Sequence, residues 1–93
     1  MLTPRKLVDK KLKAAIEYDN LGKRLIELKT KEAYEMPILM ATHSVAKAQR
    51  LWEATEEGIE LMTIKIKMKS IEKLISAMSS QLKVAELEMY NMS

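Results

Sequence analysis

The chain has 93 residues, no Cys, two Gly, two Pro and a formal net charge of +3 at pH 7. This length predicts a single domain over residues 1–93, and the abundance of Leu, Ile, Ala, Lys, Glu and Met is typical of an all-α protein. The lack of Cys excludes disulfides and thiolate metal sites. Because no apolar leader follows the first charges and no stretch is long enough to span a bilayer, we expect a cytoplasmic protein without a membrane partner.

The charge is distributed unevenly along the chain. Residues 1–31 contain nine basic and four acidic side chains, a net charge of +5. Residues 32–62 contain two basic and six acidic side chains (−4), and residues 63–93 contain five basic and three acidic ones (+2). Two basic segments therefore flank an acidic middle, a pattern that suits either an anionic polymer or the neighbouring subunits of an assembly.

The first predicted element is a helical region over about residues 4–35. Thr3 before Pro4 is a typical helix start, because the threonine hydroxyl accepts from an unpaired amide and proline in the first turn has no amide to leave unpaired. The apolar stripe predicted for the first half of this region consists of Val8, Leu12, Ala15 and Ile16. We expect this stripe to face the core.

The apolar stripe changes phase in the middle of this region. Leu21, Leu25 and Leu28 lie well round the helix from the first stripe when residues are projected at about 100° each. Asn20 and Gly22 lie at the change and predict a kink or a break there. The alternative is one long helix whose two halves contact different partners.

Pro37 predicts the start of a second helix, over about residues 37–57, because proline disfavours helical geometry in the residue before it and has no amide to donate within a helix. The apolar residues of this helix are spaced by three and four: Ile38, Ala41, Val45, Ala48 and Trp52. Gly58 predicts its end, as a carboxy-terminal cap with positive φ that folds the chain into a hairpin. The alternative is an uninterrupted helix with a shifted seam, since four residues continue the frame of Trp52 almost unbroken: Thr55, Ile59, Met62 and Ile66.

A third helix is predicted over about residues 60–92, where ten apolar residues recur at spacings of three and four. This is the pattern of a coiled-coil seam. The carboxy-terminal seam consists of Leu61, Ile64, Met68, Ile71, Ile75, Met78, Leu82, Ala85, Met89 and Met92. Residues 63–69 also alternate like an amphipathic strand, but the longer repeat favours a helix.

The length of this seam predicts a homo-oligomer. The third helix would be roughly 48 Å long, whereas its predicted hairpin partner, residues 37–57, is about two thirds as long. An exposed remnant from Leu82 to Met92 would then need a second copy to cover it. We therefore expect a helical hairpin or coiled-coil bundle that assembles through its long carboxy-terminal helix.

The sequence predicts no catalytic chemistry. His43 is the only histidine, and its neighbour Ser44 would point about 100° away on a helix, so no base and nucleophile are paired. The carboxylates of four neighbouring acids lack the ligand spacing of a calcium loop: Glu53, Glu56, Glu57 and Glu60. We expect a protein that is not an enzyme and has no metal, no cofactor and no small-molecule substrate.

A row of lysines on the third helix is a first candidate for contact with nucleic acid. Lys65, Lys69 and Lys73 are spaced by four along one flank, with Lys67 farther round the helix. Like charges at this spacing repel one another and favour a counter-anion. They either contact phosphates, which carry no sequence information, or form a solvated flank beside the seam.

Lys47 and Arg50 are a second candidate, because they stand three apart on one face with Trp52 close by. Cations that follow phosphates and an aromatic ring that stacks on bases suit single-stranded nucleic acid. The alternative is that Trp52, which lies on the apolar frame of its helix, is a buried anchor.

Residues 46–52, with the sequence A-K-A-Q-R-L-W, resemble the single-strand-binding motif of the UvsY family, the small helical recombination mediators of myoviruses. Downstream, residues 74–77, residues 82–84 and Tyr90 are similar to the long helix of that family. The two segments cover about a third of the chain.

The resemblance implies a viral homo-oligomer of the host cytoplasm that binds single-stranded DNA through Lys47 and Arg50. It also implies contacts with a recombinase and a single-strand-binding protein, and a role in loading the recombinase. The alternative function is a small helical protein-interaction module, such as a viral adaptor or an inhibitor of a host protein, that docks a Met-rich stripe and binds no nucleic acid.

Overall fold

The computed structural model describes residues 3–91, which form three α-helices and no strand. They are α1 (Pro4–Met40), α2 (Val45–Glu53) and α3 (Glu56–Asn91). The prediction of an all-α fold with a long carboxy-terminal helix is confirmed. Within residues 3–91, none of the helices combines the length and the apolarity that a membrane crossing needs.

α1 and α3 are almost equal in length, with 37 and 36 residues, and form the two antiparallel arms of a hairpin. Two contact pairs show the direction of packing: Tyr18 with Glu72, and Lys31 with Glu57. The Cα atoms span 70 × 19 × 16 Å. We call the end that holds α2 the closed end, and the end with the first turns of α1 and the last turns of α3 the open end.

α1 starts as predicted and continues without interruption through its middle. Thr3 caps it, its Oγ1 accepting from the amide of Lys6 at 3.3 Å. The predicted break at Asn20 and Gly22 is wrong, since both lie inside the helix. The alternative of one long helix is correct, although both halves pack against α3 and only the second half also packs against α2.

The predicted apolar stripe of α1 is also wrong. Val8, Leu12 and Ile16 are 53%, 60% and 54% exposed. Apart from Gly22 and Met36, the residues that α1 buries or half-buries alternate at spacings of four and three: Leu7, Lys11, Ala14, Tyr18, Leu21, Leu25, Leu28, Glu32, Glu35 and Leu39. We call these ten residues the α1 seam. It keeps one phase along the whole helix, because an alternation of four and three follows a single coiled-coil stripe.

Pro37 lies inside α1 and does not start a new helix, so the predicted boundary at residue 37 is wrong. A proline so close to a helix end removes one hydrogen bond while only one further turn follows. Met36 and Leu39, on either side of it, pack against the buried residues of the closed end and hold that turn in place. The second helix starts instead at Val45, after the cap residue Ser44, whose Oγ accepts from the amide of Lys47 at 3.3 Å.

The chain turns between α2 and α3 at Ala54 and Thr55, before Gly58. The predicted helix end at Gly58 is wrong, because Gly58 lies in the first turn of α3 and no described glycine has positive φ. The hydroxyl of Thr55 donates to the carbonyl oxygen of Trp52 at 2.6 Å and accepts from the amide of Gly58 at 3.0 Å. One side chain thus joins the end of α2 to the start of α3.

Gly58 is needed for a close approach. A Cβ at this position would overlap the carbonyl oxygen of Trp52 and would lie 2.9 Å from Cα of Glu53. The first turn of α3 therefore rests directly on the backbone of the last turn of α2, and only glycine fits there without a shift of one helix.

The carboxy-terminal seam packs within its own chain. Leu61, Ile64, Ile71 and Met78 are buried and Met68, Ile75, Leu82 and Ala85 are half-buried, mostly against the α1 seam. The premise that the partner helix is too short is wrong, since α1 is continuous and matches α3 in length. Met89 is 66% exposed, and Met92 lies outside the described residues.

The core has two parts along the hairpin. At the closed end, all three helices contribute, and the buried residues that pack together are Leu28, Trp52, Leu61 and Ile64. Toward the open end only α1 and α3 contribute, and the buried residues are Leu7, Ala14, Ile71 and Met78. Leu21 packs against both parts and connects them.

Candidate nucleic-acid interface

The hairpin separates the basic and acidic segments of the sequence along its length. Residues 3–31 and 63–91, which contain all the charged side chains of the two basic segments (+5 and +2), lie mostly alongside each other because α1 and α3 are antiparallel. Residues 32–62, which carry −4, form the closed end. The long arms of the hairpin are therefore basic, and the closed end is acidic.

Some cations on the arms form ion pairs with glutamates of the same chain. Arg24 donates from Nε and Nη2 to the two carboxylate oxygens of Glu60, at 2.6 and 2.8 Å, and from Nη1 to Glu27 at 2.9 Å. Lys31 donates to Glu57 at 2.5 Å. These hydrogen bonds raise the pKa of Arg24 and Lys31 and lower the pKa of Glu60 and Glu57 below its ordinary value of 4.5. They fix the register of α1 on α3.

The six cations predicted to contact nucleic acid, unlike Arg24 and Lys31, form no ion pairs within residues 3–91. All of them are exposed, and none forms an ion pair with a carboxylate of residues 3–91. They are Lys47, Arg50, Lys65, Lys67, Lys69 and Lys73. Their charges are open to a ligand from solution.

Three of these cations lie together on one flank of α3. Lys65, Lys69 and Lys73 form a row, which we call the lysine ladder, that extends from about 14 Å to about 26 Å along α3 from its start. Lys67 lies on the other flank, where it lines an open groove of about 470 Å³ with Arg24 and Glu60. The structure therefore brings three of the four lysines together and separates the fourth.

Lys47 and Arg50 lie on α2, at the acidic closed end. Trp52 is 2% exposed and Ala48 is fully buried, so the reading of Trp52 as a buried anchor is correct and its ring is not available for stacking. With residues 32–62 carrying −4, the field of the closed end opposes a bound anion. Lys47 and Arg50 are therefore exposed, but the ring of Trp52, which the sequence suggested as their stacking partner, is buried.

Sequence reasoning missed one aromatic side chain at the ladder. Tyr18 belongs to the α1 seam, is half-buried, and donates from its hydroxyl to Glu72 Oε1 at 2.5 Å. This hydrogen bond is the main cause of a raised pKa for Tyr18. The sequence signal for Tyr18 is the alternation of spacings of four and three that runs from Leu7 through Ala14. Because Lys11, which belongs to this alternation, is polar, the series does not stand out as an apolar stripe.

Among residues 3–91, no three His, Asp or Glu side chains come together in a way that would hold a metal ion. Comparison of the chain with protein-family models, with curated proteins and with solved structures found no match.

Proposed function

We propose that this protein is a non-enzymatic binder of single-stranded DNA that acts as a homo-oligomer and assists the loading of a recombinase. The observation that carries the proposal is the lysine ladder, three exposed cations in a row with no carboxylate partner among the described residues. Phosphates in a strand are the counter-anion that such a row favours, because point charges read the backbone without regard to sequence.

The charge of the surrounding arms supports the ladder as the main contact. Residues 1–31 and 63–93 together carry +7, so a polyanion approaching the arms meets a positive field over most of their length. Lys47 and Arg50 are assigned a lesser part, because they lie within the acidic segment. The role in recombinase loading, with a recombinase and a single-strand-binding protein as partners, is supported by the resemblance of residues 46–52 to the UvsY family.

Fluorescence anisotropy with a labelled oligonucleotide at low and physiological salt tests the binding. We expect the variant with Lys65, Lys69 and Lys73 replaced by Ala to bind more weakly and to show a shallower dependence on salt, by about 0.7 in the log–log slope for each lost phosphate contact. The double variant Lys47→Ala, Arg50→Ala should lose less affinity.

The matched control replaces Lys6, Lys10 and Lys13, three exposed lysines on α1 with nearly the same spacing, by Ala. Equal loss in the control and in the ladder variant would show that only net charge matters and would remove the ladder as a site. Absence of binding at micromolar protein and low salt would reject the function itself. The finer role is tested by whether the protein speeds assembly of a myoviral recombinase on DNA covered by a single-strand-binding protein.

The surface proposed for contact between copies of this chain lies at the open end. Val84 and Leu87, three residues apart on one face near the end of α3, are 54% and 57% exposed, and a second copy would cover them. Size-exclusion chromatography with light scattering tests this. A monomer at high concentration, with and without oligonucleotide, would contradict it.

A specific observation favours the second candidate, a protein-interaction module. Ile59, Met62 and Ile66, spaced by three and four on the outer face of α3, are 55%, 49% and 65% exposed. An amphipathic helix of another protein fits such a row. Recovery of one stoichiometric protein partner after nuclease treatment, lost in a Met62→Glu variant, would support this function over DNA binding.

A further inference from the structure

Tyr18 contacts the flank of α3 that carries the lysine ladder. The hydroxyl of Tyr18 donates to Glu72 at 2.5 Å across the α1–α3 contact. Glu72 follows Lys69 by three residues and Lys65 by seven, so these side chains occupy one flank of α3. The aromatic ring therefore lies at the edge of the row of cations.

Tyr18 lines a shallow, open cavity of about 310 Å³ together with Glu72, Ile75 and Ser76. Tyr18 is half-buried, and it packs against the buried residues nearest the open end. The hydrogen bond to Glu72 ties down the polar end of the side chain and raises the pKa of its hydroxyl, which stays protonated. The ring is thus held in place before any ligand arrives, which reduces the entropy lost on binding.

We propose that this cavity receives a base of the bound strand and that Tyr18 is the residue on which that base stacks. This inference rests on the proposed function, because the lysine ladder holds the phosphates of the same strand. A neutral, flat base suits walls made by an aromatic ring and Ile75. The carboxylate of Glu72 repels a phosphate, so the sugar–phosphate backbone stays over the ladder while the base enters the cavity.

The test compares a labelled oligothymidine with an abasic strand of the same length, using the wild-type protein and three variants. Tyr18→Leu keeps an apolar side chain in the α1 seam but removes the ring, and we expect it to lose at least about fivefold in affinity for oligothymidine and none for the abasic strand. Tyr18→Phe keeps the ring and should retain most of the affinity. Ser76→Leu fills the cavity from an exposed position and should reproduce the effect of Tyr18→Leu without touching the seam.

The outcomes separate this inference from the function on which it rests. Binding of neither strand by the wild-type protein rejects the proposed function, and the stacking role with it. Equal binding of both strands by the wild-type protein, or a Tyr18→Leu variant that loses affinity equally for both, leaves DNA binding intact and rejects stacking. Circular dichroism of each variant checks its helicity, and if Tyr18→Leu is not folded, Ser76→Leu decides the question.

Discussion

The closed and open ends of the hairpin are built on the same two seams but differ in what covers them. At the closed end α2 adds a third helix, and Trp52 and Leu28 are only 2% and 1% exposed. Toward the open end two helices pack alone, and Ile75 and Leu82 remain half-buried. Two helices alone still bury single positions such as Leu7, which is 3% exposed, whereas the third helix adds Trp52, the largest buried side chain, to the core of the closed end.

The closed end and the arms also differ in charge, and this difference suggests different roles in stability and in binding. The acidic closed end places Glu57 and Glu60 against Lys31 and Arg24, and these contacts help to hold the arms together. The arms beyond them carry cations without described partners and, in the proposed function, bind a strand. Stability is therefore expected to depend mainly on the closed end and binding mainly on the arms.

The largest expected effect is the loss of Trp52. Trp52→Ala should lower the free energy of unfolding by about 3–5 kcal/mol, because it empties the space that α2 fills with its one large buried side chain. Such a loss approaches the whole stability of a small domain. Denaturation in guanidinium chloride, followed by circular dichroism, measures it.

The matched variant in the other part of the core is Met78→Ala. It should cost less, about 2–3 kcal/mol, since the side chain of Met78 is smaller than that of Trp52 and lies between two helices instead of three. Equal losses for the two variants would contradict the conclusion that the closed end carries more of the stability.

The two glycines should respond to the same substitution with opposite signs. Gly58→Ala should destabilise the protein by about 1–3 kcal/mol, because the new Cβ overlaps the carbonyl oxygen of Trp52 and the helices must separate. Gly22→Ala should stabilise it by about 0.5–1 kcal/mol, because Gly22 lies within α1, where alanine is the better helix former.

Each glycine variant is the control for the other, since both add one methyl group inside a helix. A Cβ at position 22 would have its nearest contact at 3.8 Å from Cε of Met68, which is ordinary packing distance. Thermal unfolding of both variants gives the signs directly. A destabilising Gly22→Ala would show that α1 needs a glycine at its centre and is not one regular helix.

Acid should weaken the register contacts of the closed end. The pKa values of Glu57 and Glu60 are lowered in the folded protein because of hydrogen bonds from Lys31 and Arg24. Groups of this kind stabilise the fold above their ordinary pKa of 4.5, and the contribution is lost as the pH falls through the lowered folded value. The melting temperature should therefore decrease when the pH is lowered below about 4.5.

The effect of acid is expected to be small, because both ion pairs are exposed to solvent. A variant with Glu57→Gln and Glu60→Gln should show a smaller drop in melting temperature between neutral and acid pH than the wild-type protein. Glu88→Gln, which removes an exposed carboxylate at the open end, is the control and should leave the drop unchanged. An equal drop in all three proteins would contradict a role for these pairs.

The repeat of the last helix was sufficient to predict α3, because nine of its ten seam positions fall within one described helix with no interruption. The boundaries of the other helices were not predictable in the same way. Pro37 and Gly58 are strong local signals, yet packing around Met36 keeps Pro37 helical and contact with Trp52 explains Gly58. Tertiary contacts determined both positions, and single-sequence patterns do not contain them.

Polar residues at seam positions hid the partner of α3. Lys11, Tyr18 and Glu32 interrupt the apolar alternation of α1, whereas Val8 and Leu12 offered a more obvious stripe on the wrong face. The exposed lysines of the candidate site followed from their spacing alone. The neighbourhood of Tyr18 did not, because it requires the pairing of α1 with α3.

The smallest expected effect tests that face of α1 directly. Leu12→Gln should change the free energy of unfolding by no more than about 0.5 kcal/mol, because Leu12 is 60% exposed and contacts no buried part of the core. Leu7→Gln, the matched change on the α1 seam, should cost several times more, since Leu7 is 3% exposed and an amide buried there lacks a partner. Urea denaturation of the two variants measures both values. If the costs were reversed, α1 would pack through Val8, Leu12 and Ile16, Tyr18 would turn away from the lysine ladder, and the proposed stacking site would not exist.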